Sequence, residues 1–304
     1  MKPREYSKVK QFAVQSLTVI ILGLLGYIGY LLYKYNIFYL YVYLAVVLGF
    51  FTYIIFIEPG NITFPERNLV IDNMPHHFKG KKIIHISDIH FGPLFGRKAV
   101  KKLVNSINNL SPDFVFITGD FLSVDTDAEI KDLIEEIKLL KAKNGIFAVM
   151  GNHDYYGDSE YLKKGLVKGG INLLFNTAVA VENGSDKIWI LGVDDPYHDF
   201  DNLDQALKDI PEEDIKLLLA HSPEIIPEAV DKEIDMVFMG HTHGGQAKFP
   251  GYKLVLTLSS GLKKYMYGLF RENKTQFYVT KGLGRVTLPI RFLSAPEVAI
   301  FVLK

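Results

Sequence analysis

The chain opens with two uncharged apolar stretches and then changes to short apolar runs that end in polar clusters. Residues 11–32 carry no charge, and neither do residues 35–57. Only Tyr33-Lys34-Tyr35-Asn36 separates them. A helix needs about 20 apolar residues to cross the hydrocarbon core, so the pattern predicts a transmembrane helical hairpin. Both stretches are hydrophobic all round rather than on one stripe, which argues against a buried hairpin of a soluble domain. Gly23, Gly26 and Gly29 would let the two helices approach closely. Tyr27, Tyr30, Tyr33, Tyr35, Tyr39, Tyr41 and Tyr43 crowd the turn side, as in an aromatic interface belt. A cleaved signal peptide would explain the first stretch but not the second, and no small-x-small cleavage site follows it.

Pro59 and Gly60 close the second stretch. Asn68–Asp72 and Lys82–Ser87 then read as strands, the latter apolar enough to be buried on both faces. Helical spacing predicts a helix over Arg97–Leu110 on Val100, Leu103, Val104 and Ile107. A second covers Ala128–Lys143, on Ile130, Leu133, Ile134, Ile137 and Leu140. Phe114–Thr118 and Ile146–Met150 are strands between and after them. Ala178–Glu182 and Lys187–Gly192 form a hairpin around Asn183-Gly184. A short helix near Leu203–Leu207, strands at Ile215–Ala220 and Met236–Met239, and β-formers at 253–258, 276–280 and 298–303 complete the pattern.

Strand and helix alternate in the first half, which argues a mostly parallel sheet. The hairpin-rich second half argues a second, mixed sheet packed on it. The expected fold is α/β: a four-layer α/β/β/α sandwich of two mixed sheets, preceded by the membrane hairpin. The corresponding division is 1–58 for the anchor, 59–79 for a linker with the first strand, and 80–304 for the globular domain.

Charge and composition narrow the function. Acidic and basic residues balance at 34 each, so no basic field points to nucleic acid. There is no cysteine, which removes disulfides and thiolate metal sites. Lys2, Arg4, Lys8 and Lys10 precede the first span, whereas the turn holds only Lys34. The positive-inside rule then puts the N-terminus in the cytoplasm, and two spans return the globular domain there.

Polar clusters end five of the strands: Asp88 and His90; Asp120; Asn152 and His153, followed by Asp154; His221; and His241 with His243. Ligand sites of open α/β sheets gather at such strand ends. Five of the nine histidines fall in these clusters. The other four, His76, His77, His85 and His198, read as structural or surface residues, His85 as a satisfied core residue. In an extended segment His241 and His243 would point to one side, toward one centre or a close pair of centres. Imidazoles, carboxylates and an amide oxygen suit Mn, Fe or Zn better than Mg or Ca. Paired divalent ions of this kind activate a hydroxide and clamp phosphoryl oxygens for in-line attack.

As a set, Asp88-x-His90, Gly119-Asp120, Gly151-Asn152-His153-Asp154, His221 and Gly240-His241-x-His243 resemble the ordered motifs of the calcineurin-like metallophosphoesterase superfamily. The resemblance covers roughly residues 80–304. Gly240–Gln246, Gly282-Leu283-Gly284 and Pro289-Ile290-Arg291-Phe292 resemble its membrane-associated bacterial phosphodiesterases. That subgroup includes a UDP-2,3-diacylglucosamine diphosphatase of lipid A synthesis. The resemblance implies two divalent metal ions, with Mn favoured. It implies that Asp88, His90 and His243 hold the first ion, that Asp120 bridges, and that Asn152, His221 and His241 hold the second. His153 is implied as proton donor or transition-state stabiliser, with Asp154 orienting it. Some exported relatives carry a twin-arginine signal, which this chain lacks.

Substrate signals are weaker. Lys263, Lys264, Tyr265, Tyr267 and Arg271 follow the last motif and read equally well as phosphate, base or headgroup contacts and as a solvated hairpin surface. Asp194 and Asp195 fit a turn cap better than a catalytic pair, and Arg285 and Arg291 fit a phosphate or the membrane surface. The function expected is a multi-pass, cytoplasm-facing phosphoesterase of the inner membrane. Its partners would be the lipid bilayer and a phosphate ester, a lipid or lipid-linked nucleotide; no protein partner is evident. The rivals are a broad phosphodiesterase on soluble substrates and a non-catalytic membrane scaffold.

Overall fold

The computed structural model describes residues 3–123, 127–249, 252–255 and 264–304. Lys2 and Lys263 lie outside them. Helix α1 (Pro3–Tyr35) is unbroken. Asn36 caps α2 (Ile37–Thr52) by accepting the Phe38 amide at 2.8 Å. The second helix continues through a π-helical turn, Tyr53–Ile57, into the single turn α3 (Glu58–Gly60). Thr18–Tyr35 and Ile37–Gly60 are each long and apolar enough to cross a membrane, and only 6% of each is buried.

Only one of the three glycines meets the partner helix. Beside Gly29, the Tyr43 ring lies 3.4 Å from where a Cβ would sit, whereas Gly23 and Gly26 face nothing within 4 Å among the described residues. Three-residue steps fall about 60° short of a full turn, so the glycine stripe winds off the contact face. Tyr43 instead ties the helices by donating its hydroxyl to the Leu25 carbonyl at 2.8 Å, one turn before Gly29.

In chain order the strands are β1 (Glu66–Leu69), β2 (Lys82–Ile86), β3 (Phe114–Thr118), β4 (Ile146–Val149), β5 (Asn172–Leu173), β6 (Thr177–Asn183) and β7 (Asp186–Gly192). They continue as β8 (Lys216–Leu219), β9 (Met236–Met239), β10 (Lys248–Phe249), β11 (Tyr252–Val255), β12 (Gly268–Glu272), β13 (Thr275–Val279) and β14 (Ala299–Leu303). The first sheet has the order β1-β14-β2-β3-β4-β5, and the second β12-β13-β9-β8-β7-β6. In the first, β2 to β5 run parallel and β14 lies antiparallel to β2. In the second, β13, β9, β8 and β7 run parallel, with antiparallel β12 and β6 at the edges. The hairpins of the second half thus form the margins of a parallel centre.

Alternation along the strands builds the layers. Ile83, Phe114, Phe116, Phe147, Leu217, Leu219, Phe238 and Phe301 fill the space between the sheets. Ile84, Val115, Ile117 and Ala148 face outward onto α4 (Arg97–Asn109), α5 (Asp127–Ile137) and α6 (Ser159–Lys168). On the other side α7 (Leu203–Leu207) and α8 (Ile226–Asp231) cover Leu191, Leu218 and Val237. The result is the α/β/β/α sandwich. His85 points into the inter-sheet layer, its Nε2 2.8 Å from Thr118 Oγ1 and its ring 5.3 Å from Phe238; burial moves it down to about 3.

The first strand lies at Glu66–Leu69 rather than Asn68–Asp72, where it pairs with β14, and two helices also depart from the spacing. The helix expected to Lys143 stops at Ile137, because Asn108 captures the following backbone: its Nδ2 donates to the Leu139 carbonyl at 2.9 Å and its Oδ1 accepts the Lys141 amide at 2.8 Å. Leu140 still reaches the core, from outside the helix. Helix α6 stands outside the elements that the spacing predicts; its signals are Asp158, which caps it through the Tyr161 amide at 2.9 Å, and buried Leu162 and Leu166 one turn apart.

Candidate metal centre

Parallel strands of both sheets end at one place. β2 delivers Asp88 and His90, β3 Asp120, β4 Asn152 and His153, β8 His221, and β9 His241 and His243. The backbone there is not extended. Asp88, His90, Asp120, His241 and His243 all have left-handed φ, from 45° to 67°. His241 and His243 therefore do not share a side as consecutive strand positions would; the chain turns between them, and they serve different groups. Such conformations cost energy and persist where surrounding bonds over-determine them. Here the His241 amide donates to both Asp88 carboxylate oxygens at 3.1 Å. Gly240 admits this approach, since a Cβ there would overlap Ser87 Oγ and Asp88 Oδ2.

Two ligand groups result, Asp88 with His90 and His243, and Asp120 with His221 and His241. In the first, His243 Nε2 lies 3.1 Å from His90 Nε2 and 3.4 Å from Asp88 Oδ1. In the second, His221 Nε2 lies 3.1 Å from His241 Nδ1 and 3.2 Å from Asn152 Oδ1. Asp120 Oδ2 stands 3.3 Å from His90 Nε2 and 3.3 Å from His221 Nε2, so one oxygen faces both groups. Two donors bound at about 2.0–2.1 Å to one tetrahedral ion are about 3.3 Å apart. The separations fit that requirement, and the nitrogen and oxygen donors fit Mn, Fe or Zn.

Electrostatics prepares the imidazoles. Burial moves His90 and His241 each down to about 3. It holds His243 well below its usual range, with the proximity of His90 adding to it. These rings are neutral near pH 7 and offer lone pairs. Burial pushes Asp88 up to about 6, against the pull of His221. Burial would also raise Asp120, but the imidazoles of His221 and His153 outweigh it and hold that carboxyl well below the usual range. His221 is the mirror case, raised well above its ordinary value because Asp120 outweighs burial. Asp120 and His221 thus form a buried ion pair in the metal-free protein.

His153 lies beside both groups. Its amide donates to Asp120 Oδ1 at 2.9 Å, and its half-buried ring sits 4.9 Å from the His90 ring. Asp154 is placed differently from the orienting role that the resemblance implies. Its carboxylate accepts the amides of Phe121 at 2.8 Å, Leu122 at 3.3 Å and Gly151 at 2.9 Å. It staples the loops after β3 and β4, and burial together with the charge of Asp120 pushes it up to about 8.

Other residues reach the site without a strand-end signal. The Tyr197 ring lies 5.2 Å from His241, and Tyr156 5.2 Å from His153. His198, read as structural or surface, joins this aromatic wall, its Nδ1 2.7 Å from Asp195 Oδ2, the partner that chiefly raises it. Asp195 also caps the turn through the Tyr197 amide at 3.2 Å, and Asp194 takes the Tyr155 hydroxyl. Arg291 is wholly buried, donating to the carbonyls of Gly284, Ser294 and Lys281, with Nη2 3.4 Å from His243 Nδ1. Of the cationic and aromatic residues after the last motif, Lys264 and Tyr265 bind Glu272, and Arg271 reaches Asp72 at 3.7 Å. Tyr267 lies under the ammoniums of Lys248 and Lys281.

Residues 81–245, more than half of the chain, match the calcineurin-like phosphoesterase family. The chain belongs to that family. It is accordingly a metal-dependent phosphoesterase of a family that uses a dimetal centre. The chain is 32% identical over 261 residues to the metallophosphoesterase YkuE of Bacillus subtilis (strain 168), covering 84% of this chain and 90% of that one. It is 33% identical over 257 residues to a transmembrane protein with metallophosphoesterase domain from Danio rerio, covering 79% of this chain but 56% of the relative. A metallophosphoesterase of Aquifex aeolicus (strain VF5) is 33% identical over 235 residues, with 73% and 85% covered.

Proposed function

We propose that the protein is a membrane-anchored phosphoesterase that hydrolyses a phosphodiester or pyrophosphate bond in a lipid or lipid-linked nucleotide, at the cytoplasmic face of the cell membrane. One observation supports this reading above others: the metal loop is fastened to the end of the second apolar helix. Ser294 donates its hydroxyl to the His243 carbonyl at 2.9 Å and its amide to Glu58 Oε1 at 2.7 Å. Next to it, the Arg291 amide donates to the Ile54 carbonyl at 2.9 Å, and Arg285 Nη1 to the Ile55 carbonyl at 2.8 Å. Phe292 packs edge-on to Phe50 at 5.3 Å. A helix in the bilayer would hold the site at the headgroup level, where a lipid substrate is concentrated.

In this reading Asp88, His90 and His243 would hold one ion, Asn152, His221 and His241 the other, and Asp120 would serve both; Mn is the first metal to test, ahead of Fe or Zn. When bound, the pair supplies an activated water and neutralises charge on the phosphoryl oxygens. His153, open on one side, gives a proton to the leaving oxygen. Asp154 keeps the loop that carries it in place.

The test uses full-length protein in detergent with Mn²⁺, assayed on UDP-2,3-diacylglucosamine beside an aryl phosphodiester. Release of UMP that Asp120→Ala abolishes supports the lipid-linked substrate. Turnover of the aryl diester alone rejects that substrate and leaves a phosphodiesterase of other specificity. Turnover that survives Asp120→Ala overturns the assignment of the centre.

A further inference from the structure

Beside the metal loop stand two ammonium groups that share one aromatic ring. Lys248 Nζ lies 3.5 Å from the centroid of Tyr267, and Lys281 Nζ lies 5.4 Å from it. Lys248 is half-buried and has no carboxylate or hydrogen-bond acceptor among the described residues. Glu297 offers Lys281 Nζ one oxygen, Oε2 at 3.4 Å. Its Oε1 accepts the Tyr278 hydroxyl at 2.7 Å, the Thr280 hydroxyl at 3.1 Å and the Lys281 amide at 3.1 Å. The other acid in range, Glu58, accepts the Ser294 amide. Lys248 therefore lies beside Lys281 with no carboxylate of its own at ion-pair distance among the described residues. Burial, and then Lys281, move Lys248 down to about 8. A cation–π contact offsets only part of the cost of a desolvated ammonium.

Each member is anchored to the site or to the apolar helix. Tyr267 follows Met266, whose carbonyl accepts the Thr242 hydroxyl at 2.6 Å, and Thr242 stands between His241 and His243. Lys281 presses on Gly244, where a Cβ would come within 2.7 Å of its Cγ; Gly244 has φ 57°. The Lys248 amide donates to the carbonyl of Phe292, the residue whose ring packs on Phe50. Tyr267 is 44% exposed, so the group opens to the outside.

We propose that Lys248, Lys281 and Tyr267 form an anion subsite that holds a second phosphate of the substrate, apart from the one at the ligand groups. It rests on the phosphoester reading above for the substrate's identity, but its binding chemistry is separate from turnover. The shared chemistry is a phosphomonoester or phosphodiester anion held by two ammoniums, and it could come from a bilayer lipid or from a soluble ester.

The experiment uses full-length protein in neutral detergent, stripped of metal by chelation so that the ligand groups take no phosphate. Thermal unfolding is followed with inorganic phosphate or glycerol 3-phosphate at about 20 mM, and with phosphatidic acid or diacylglycerol in the micelle. The expected result is a rise of about 2–4 °C with phosphate anions. Lys248→Gln and Lys281→Gln should each lose it, Lys248→Arg should keep it, and diacylglycerol should give no rise. A rise with phosphatidic acid supports a lipid source; a rise with the soluble anions alone supports a soluble one. No rise with any anion, or a rise that both Gln variants retain, overturns the subsite. Because no metal is bound, failure of the hydrolytic reading leaves this outcome readable.

Discussion

Asp120 shows how much one carboxylate can be asked to do. Its Oδ2 faces both ligand groups at 3.3 Å, while its Oδ1 accepts the His153 amide at 2.9 Å. Asp120→Ala should therefore empty both groups and misplace the proton donor. Activity should fall more than the roughly 10–100-fold typical of outer-shell partners, and elemental analysis should find neither ion retained. His153→Ala should keep its metal and lose about 10²–10⁴-fold in kcat, as for a general acid; metal loss in that variant would make it a ligand instead. Asp154→Ala leaves the amides of Phe121, Leu122 and Gly151 buried without an acceptor. Denaturant unfolding of the metal-free protein should show a loss of about 1–3 kcal/mol. A Tm and kcat unchanged from wild type would rule out the staple. These roles follow from contacts between loops distant in sequence, so the residue types were legible and the partners were not.

At the scale of elements, the tie between the apolar helix and the metal loop is the feature that motif reading leaves out. Arg285 bonds the Ile55, Pro289 and Leu94 carbonyls at 2.8–2.9 Å, joining the π-helical turn to two loops of the sandwich. A π turn redirects carbonyls from the helical ladder, and Ile54 and Ile55 offer theirs to Arg291 and Arg285. Arg285→Ala should free this junction. Hydrogen exchange at residues 54–62 should quicken, while β3 and β9 stay protected; equal protection in wild type and variant would show that the junction does not depend on Arg285. Elements with strong periodicity, such as α4 with Val100, Leu103, Val104 and Ile107 buried, stand where the spacing puts them. Those ended by a distant side chain do not, as Asn108 shows at the end of α5.

For the whole molecule, the balance of basic residues at the start predicts where the site lies. A C-terminal reporter active only in the cytoplasm should be active, and one active only outside should be silent. The reverse would place the sandwich on the far side, through an inverted hairpin or a single crossing.

The local sequence determined β2, α4, β3 and β4, two apolar helices and the residue types of the metal centre, because burial periodicity and donor chemistry are properties of a few neighbouring residues. Strand order was beyond it. The last strand enters between β1 and β2, a pairing across more than two hundred residues, and no local pattern encodes it. The tertiary structure showed how His241 and His243 reach the different groups that the resemblance implies, through left-handed φ at both and the His241 amide on Asp88. It brought Lys248, Lys281 and Tyr267 together from three separate segments, and the lysines carry no signal in sequence because charge alone does not reveal which partner is missing.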